Sequence, residues 1–123
     1  MKKTLLITLL LIVGCSKEPI NENSLVDRNG VKYQQDSQKP YSGEIFDLYD
    51  NGNKKIEGSY KDGLRNGKWT FWYDNGNKKI EGSYLNGDGT DLDNETGIPR
   101  NGMNGKWTWW YENGQKKYEG VLV

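Results

Sequence analysis

The sequence predicts an all-β protein made of tandem antiparallel hairpins. Three observations lead to this prediction: an Asn-Gly pair recurs, strand-forming residues flank each pair, and glycine and aromatic residues are abundant. The 123 residues include 16 Gly, 8 Tyr and 5 Trp. A helical protein would draw its core from Leu and Ala, so this composition favours strands and turns.

Three Asn-Gly pairs mark the predicted hairpin turns, namely Asn51-Gly52, Asn75-Gly76 and Asn113-Gly114. We expect type I′ turns, because that turn needs positive φ at both central residues. A two-residue turn centred on each pair fixes the cross-strand register. The register pairs Gly43–Tyr60, Ile45–Gly58, Asp47–Ile56, Gly67–Tyr84, Trp69–Gly82, Phe71–Ile80, Gly105–Leu122, Trp107–Gly120 and Trp109–Tyr118.

In each predicted hairpin a bulky side chain faces a glycine, as Trp69 faces Gly82. We expect the ring to cover the backbone that glycine leaves bare. Alternation along a strand predicts one buried face and one face in water. The buried set in the middle hairpin is Trp69, Phe71, Tyr73, Ile80, Gly82 and Tyr84.

The hairpins are unevenly spaced. Tyr49 and Tyr73 are 24 residues apart, whereas Tyr73 and Tyr111 are 38 residues apart, so the second interval holds 14 additional residues. We place this insertion at about residues 86–103 and expect a loop beside the sheet. The repeat domain is predicted over residues 25–123, and it begins with a short capping hairpin around residues 29 and 30.

The N-terminal residues are predicted to precede the fold. Two lysines lead into an apolar run over residues 5–13 that is too short to span a bilayer, which is typical of a signal peptide over residues 1–14. Residues 12–15, IVGC, resemble the lipobox of bacterial lipoproteins. This resemblance implies cleavage before Cys15 and lipidation of that residue. The polar residues that follow predict a tether, so residues 15–24 are the lipidated cysteine and its tether. An ordinary signal peptide with an incidental cysteine is the alternative.

The predicted location is therefore the cell envelope, with the protein anchored to a membrane through acylated Cys15. Ser16 follows the cysteine, and in Gram-negative lipoproteins this residue implies the outer membrane. The formal net charge is zero, which gives no reason to expect a nucleic acid as partner.

The segment Ile56 to Lys68, IEGSYKDGLRNGK, resembles the MORN repeat in its bacterial variant. The Glu-Gly and Asn-Gly positions recur in register over residues 41–123, which is most of the chain after the signal peptide. The resemblance implies that the hairpins join into one elongated, twisted sheet. Proteins with such tandem units often carry the label "YwqK-family antitoxin", which implies an antitoxin or immunity-type protein that masks a toxin.

The residue types present argue against an enzyme. The chain has no histidine and one cysteine, so catalytic triads and His-containing metal sites are excluded. Paired carboxylates remain, but none has the apolar surroundings that raise a pKa for general-acid work. Glu57, Glu81 and Glu119 are predicted on the polar face, opposite Phe46, Thr70 and Thr108, as a solvated ladder paired with lysines. We expect no catalytic residue and no cofactor.

The acidic insertion suggests a test for calcium. Asp91, Asp93 and Glu95 alternate as in an EF-hand loop, but the sixth position is Thr96 instead of Gly and the twelfth is Gly102 instead of Glu. The sequence therefore favours a flexible acidic loop without a metal.

Trp72 and Trp110, with Leu48 at the equivalent place, recur on the otherwise polar face and are the candidate binding residues. The same register places Trp72 across from Lys79 and Trp110 across from Lys117. One interpretation is a cation–π pair or packing between hairpins. The other is an aromatic strip that binds a protein or a glycan.

The function that these features favour is a lipid-anchored, non-catalytic envelope protein that serves as a protein-binding or scaffolding surface. An immunity-type protein and a carbohydrate-binding module that uses the tryptophans are the alternatives. The strand over residues 116–123 has no successor, so we also expect a weak homo-oligomer through its open edge.

Overall fold

The computed structural model describes residues 17–122, which form nine strands and one 3₁₀ turn. The strands are β1 (Ile20–Asn21), β2 (Leu25–Arg28), β3 (Val31–Gln34), β4 (Gly43–Leu48), β5 (Lys54–Lys61), β6 (Leu64–Trp72), β7 (Lys78–Gly87), β8 (Met103–Trp110) and β9 (Lys116–Leu122), and the turn covers Glu22–Ser24. Within these residues no helix has the length and apolar character that a membrane crossing requires. The predicted signal peptide, Cys15 and Ser16 lie outside the described residues.

Seven strands form one open sheet in the order β1-β4-β5-β6-β7-β8-β9. Strands β4 to β9 are an antiparallel meander of three hairpins, whereas β1 adds to β4 in parallel, with Ile20 beside Ile45. The all-β prediction of tandem antiparallel hairpins is confirmed.

The nine predicted cross-strand pairs all occur in the sheet. The turn type, however, was predicted wrongly. In the middle hairpin the Gly76 amide donates to the Tyr73 carbonyl at 3.1 Å, and the Tyr73 amide donates to the Asn77 carbonyl at 2.8 Å. This closes a three-residue loop in which Gly76 has φ +94° while Asn75 stays at negative φ. A type I turn that ends in a left-handed glycine has this pattern.

The predicted register is correct because the longer loop and a bulge shift the pairing in opposite directions. The longer loop shifts the pairing by one residue, so that Trp72 pairs with Lys78. A bulge at Lys79 then restores the pairing of Phe71 with Ile80. The first and last hairpins carry the same shift, between Asp47 and Leu48 and between Trp109 and Trp110.

The core lies on one face of the sheet, which we call the core face. Its fully buried tryptophans, Trp69 and Trp107, alternate with Tyr60 and Tyr84 in edge-to-face contacts whose ring centroids are 5.0–5.7 Å apart. Such contacts stabilise by about 0.5–1.5 kcal/mol each beyond the buried area. The buried apolar residues are Tyr41, Ile45, Tyr60, Trp69, Phe71, Ile80, Tyr84, Ile98, Met103 and Trp107.

Each core tryptophan covers a glycine, but in the preceding hairpin instead of its own. A Cβ on Gly58 would overlap the Trp69 indole, and one on Gly82 would overlap Trp107. The Trp69 indole N–H also donates to the Ser59 carbonyl at 3.0 Å, where the β5–β6 register shifts. The tryptophans therefore join successive hairpins.

The insertion folds as a loop against the core face. Leu92 and Pro99 form an antiparallel bridge, Ile98 is buried in the core, and the Tyr84 hydroxyl donates to the Pro99 carbonyl at 2.5 Å. The prediction of a flexible loop is thus replaced by a loop with its own hydrogen bonds and a core contact. We call residues 88–102 the insertion loop.

The N-terminal part differs from the prediction in one respect. Residues 20–24 belong to the fold as β1 and the 3₁₀ turn, although the sequence predicts a tether there. The predicted hairpin around residues 29 and 30 is present as β2 and β3, and it forms a two-stranded sheet separate from the seven-stranded one. It contacts the array where the Lys32 amide donates to the Gly63 carbonyl at 2.9 Å.

Candidate interaction face

The face opposite the core carries a repeated pattern of charged, hydroxyl and indole side chains. We call it the polar face, and it holds Glu57, Glu81, Glu119, Lys68, Lys106, Thr70, Thr108, Trp72 and Trp110. Thr70 and Thr108 are buried beneath their charged neighbours, although they lie on this face. The charges therefore form an ordered layer over the strands.

Each repeat ties one glutamate to a lysine three residues before it. The distances from Lys54 to Glu57, Lys78 to Glu81 and Lys116 to Glu119 are 3.1–3.4 Å. In the two later repeats a threonine and a second lysine join the group. The Thr70 hydroxyl donates to Glu81 at 2.7 Å, and Lys68 approaches the same carboxylate at 3.5 Å. The predicted ladder of carboxylates and lysines is confirmed.

In the two later repeats these contacts favour the ionised carboxylate. Burial opposes ionisation of Glu81, but hydrogen bonds from Thr70 and Lys78, with the charge of Lys68, outweigh it and lower the pKa of that carboxyl. The hydrogen bonds from Thr108 and Lys106 likewise lower the pKa of Glu119. A general acid working at neutral pH needs a raised pKa, so the shift runs in the opposite direction.

The two consecutive lysines of each repeat end on opposite faces of the sheet. Lys54, Lys78 and Lys116 lie on the polar face beside the glutamates. Lys55, Lys79 and Lys117 occupy the bulge, and their ammonium groups lie over the rings of Tyr49, Tyr73 and Tyr111 at 5.5–5.7 Å. A bulge re-aims side chains in this way. The predicted pairings of Trp72 with Lys79 and of Trp110 with Lys117 are therefore wrong, because the loop is one residue longer than assumed.

The polar-face tryptophans instead receive a lysine from the preceding hairpin. Lys54 lies over the Trp72 ring at 5.3 Å, and Lys78 lies over the Trp110 ring at 5.8 Å. Both indoles are half-buried, whereas Leu48, the equivalent residue of the first hairpin, is 46% exposed. The three candidate binding residues thus share one face and one row, with cations over the two rings.

An open groove of about 810 Å³ runs along the polar face beside Trp72. The residues that line it are Glu18, Pro19, Glu44, Ile45, Phe46, Glu57, Gly58, Ser59, Lys68, Thr70, Trp72, Lys78 and Glu81. Its lining therefore combines carboxylates, ammonium groups and one indole.

Hydrogen bonds between turns hold the hairpins together, and the sequence reasoning missed them. The Asn75 and Asn77 side-chain amides both donate to the Glu112 carbonyl, at 3.0 and 2.9 Å. Asn51 and Asn53 make the same bonds to Asp74 at 2.9 Å. The recurring Asn-Gly-Asn pattern was the available signal, since the second asparagine is not needed for the turn itself.

The acidic residues of the insertion loop diverge. Asp91 pairs with Arg100 at 3.3 Å, Asp93 accepts bonds from the Glu95 and Thr96 amides, and Glu95 binds Lys117. Over residues 17–122 no three acidic or metal-binding side chains come together as a group that could hold a metal ion.

Comparison with known families identifies the repeat. The model of the MORN repeat variant matches residues 41–62, 65–86 and 103–122, which together make up just over half of the chain. The chain belongs to the MORN repeat variant family. Each matched segment corresponds to one hairpin, so a MORN repeat here is two strands with the Asn-Gly loop between them. Searches of curated proteins and of solved structures gave no match.

The insertion loop falls between the second and third MORN repeats. It connects β7 to β8, whereas the first two repeats are joined by the short connection between β5 and β6, and it adds Ile98 to the core. The repeats therefore account for the sheet and its two faces. The insertion loop adds a core contact that the junction between the first two repeats lacks.

Proposed function

We propose that this protein is a lipid-anchored, non-catalytic component of a bacterial envelope that presents its polar face to a protein partner. The observation that carries this proposal is the groove beside Trp72, whose lining includes Glu44, Glu57 and Glu81 together with Lys68 and Lys78. Binding through pre-ordered side chains avoids much of the entropy loss of association.

The order of this surface supports the proposal. Thr70 and two lysines fix the Glu81 carboxylate, and side-chain bonds between turns fix each hairpin relative to the next. Such a face suits an extended peptide or loop that carries both signs of charge. Lys54 covers the Trp72 ring, which leaves less of that ring for stacking on a sugar, so a protein is preferred to a glycan.

The non-catalytic role rests on the lowered pKa of Glu81 and Glu119 and on the absence of histidine from the sequence. The anchor rests on Cys15 and its lipobox-like context. Labelled palmitate tests it: we expect incorporation into the full chain and none into Cys15→Ser, which should leave the membrane fraction. Label in the Cys15→Ser variant, or none in the natural chain, would contradict the anchor.

Crosslinked capture from native membranes tests the partner. Trp72→Ser and Lys68→Ser both alter the groove, and the 70% exposed Lys68 side chain can be changed without loss of packing. Lys55→Gln, on the opposite face, is the matched control. We expect a partner that is retained by the control and lost by both groove variants. Equal capture by all three would contradict the proposal. A captured toxin would identify the partner as that of an immunity-type protein.

A further inference from the structure

A separate cavity lies on the core face, between β5, β6 and the insertion loop. Its volume is about 310 Å³, which falls at the lower end of small-molecule sites. Ile56 and Phe71 of the sheet form one apolar wall, and Ile98 and Pro99 of the loop form the other. The loop occurs at one junction between repeats, so the cavity does too.

Three cations line this cavity, and none of its lining residues is acidic. Lys55 has one distant partner, Asp47, at 4.0 Å, and Lys79 has no ion pair within residues 17–122. Arg65 is nine-tenths buried and lies 3.6 Å from Glu22. Its Nη1 has no hydrogen-bond partner among the described residues. Positive charge therefore exceeds negative charge around an apolar space.

The position of the lysines follows from the bulges. Lys55 and Lys79 are the bulged residues of their hairpins, which turns them away from the glutamates of the polar face and over Tyr49 and Tyr73. Two neighbouring repeats thus contribute the same cation at the same register, on the face where the loop closes over the sheet.

The third lysine at this register, Lys117, binds a carboxylate. Lys117 lies over Tyr111 in the same way, and it holds the Glu95 carboxylate of the insertion loop at 2.7 Å. A charge-assisted bond of this kind is among the stronger polar contacts. Lys55 and Lys79 offer equivalent ammonium groups beside the cavity without such a partner.

We propose that this cavity binds a small organic carboxylate that carries an aromatic or branched apolar group. The carboxylate binds Lys55 and Lys79 as Glu95 binds Lys117, and the apolar group contacts Phe71, Ile98 and Pro99. This site is on the opposite face from the proposed partner surface and does not depend on that function.

Calorimetric titration of the full chain tests the chemistry of the site. The probes are phenylacetate, isovalerate, the neutral phenylacetamide and inorganic phosphate. We expect saturable binding of at least one carboxylate, and binding of the neutral amide and of phosphate at least about ten-fold weaker. No saturable binding of either carboxylate up to about 10 mM would overturn the proposal. Equal binding of the amide, or of phosphate, would also overturn it.

The chain supplies a matched control for the residues. The double variant Lys55→Gln with Lys79→Gln removes the cavity cations, whereas Lys54→Gln with Lys78→Gln removes the adjacent lysines that point to the other face. We expect the first pair to weaken carboxylate binding at least about ten-fold and the second to change it less than about two-fold. Equal effects of the two pairs would overturn the assignment, and circular dichroism checks that both remain folded.

Discussion

The middle hairpin, β6–β7, and the last, β8–β9, carry nearly the same residues but differ in burial. Ile80 in the middle hairpin is 1% exposed, whereas Tyr118 at the same register is 55% exposed. Gly82 lies under the indole of Trp107, while the closest group to Gly120 is the hydroxyl of Tyr118 from its own strand.

The difference shows that a repeat of this type does not bury its own core. The tryptophan of each following hairpin covers the glycine of the hairpin before it, and the asparagines of each turn donate to the following turn. Stability therefore lies at the junctions between repeats, as in other linear arrays. Substitutions at a junction should therefore lower the free energy of unfolding more than comparable substitutions away from it.

The largest difference in the free energy of unfolding is expected between substitutions of two tryptophans in β8. Trp107→Ala removes a fully buried ring that covers Gly82, and it should lower the free energy of unfolding by about 3–5 kcal/mol. Trp109 is partly exposed and contacts Tyr118, so Trp109→Ala should cost about half as much. Urea denaturation measures both, and equal losses would contradict the central role of the junction.

A methyl group added to the glycine tests the same contact between the tryptophan and the glycine. Gly82→Ala places a Cβ inside the rigid indole of Trp107 and should cost about 2–3 kcal/mol. Gly120→Ala meets the far end of an exposed tyrosine that can rotate away, and it should cost less than about 1 kcal/mol. Thermal unfolding of the two variants provides the comparison, and a Gly120 variant as unstable as the Gly82 variant would contradict it.

A smaller difference is expected at the turns. Asn77→Ala removes the donor to the Glu112 carbonyl and should cost about 1 kcal/mol. Gln115 holds the same position in the last turn, and its side chain makes no hydrogen bond within the described residues. Gln115→Ala should therefore be nearly neutral in the same unfolding measurement, and a cost similar to that of the Asn77 variant would refute the role of these bonds.

The smallest effect concerns pH. The folded-state pKa of Glu81 is lowered from its ordinary value of 4.5, so its contribution is present above that value and is lost as pH falls through the folded pKa. Glu81→Gln should cost about 0.5–1 kcal/mol at about pH 7, and this cost should shrink as the pH falls below the folded-state pKa. The more exposed Glu119 should show the same sign with a smaller effect. A cost of Glu81→Gln that persists at low pH would contradict the charge-based account.

The sequence predicted the hairpins and their pairing because the Asn-Gly loops and the alternation of residues are local signals. The extra loop residue and the bulge at Lys79 cancel, so a wrong turn type still led to the right pairing of Phe71 with Ile80. The sequence did not predict that Lys79 lies on the core face, because the face of this side chain depends on which residue of the strand the bulge leaves unpaired.

Contacts between hairpins were harder to predict. Trp69 faces Gly82 within its own hairpin and stands beside Gly58 of the preceding one, and the alternation of residues does not distinguish the two neighbours. The insertion loop buries only the adjacent Ile98 and Pro99 among polar residues, which gives no periodic signal in the sequence. The parallel pairing of β1 involves two residues and has no periodic signal. Lipidation of Cys15 and the edge-to-edge association of residues 116–123 stay predictions.

The most direct test follows hydrogen exchange at the five tryptophan indoles by NMR. Two of these indole N–H groups, those of Trp69 and Trp107, are buried and donate to the Ser59 and Ser83 carbonyls. We expect these two to exchange at least about 100-fold more slowly than those of Trp72, Trp109 and Trp110. Equally slow exchange at Trp72 and Trp110 would contradict this account, in which Trp69 and Trp107 join the hairpins and Trp72 and Trp110 lie on the polar face.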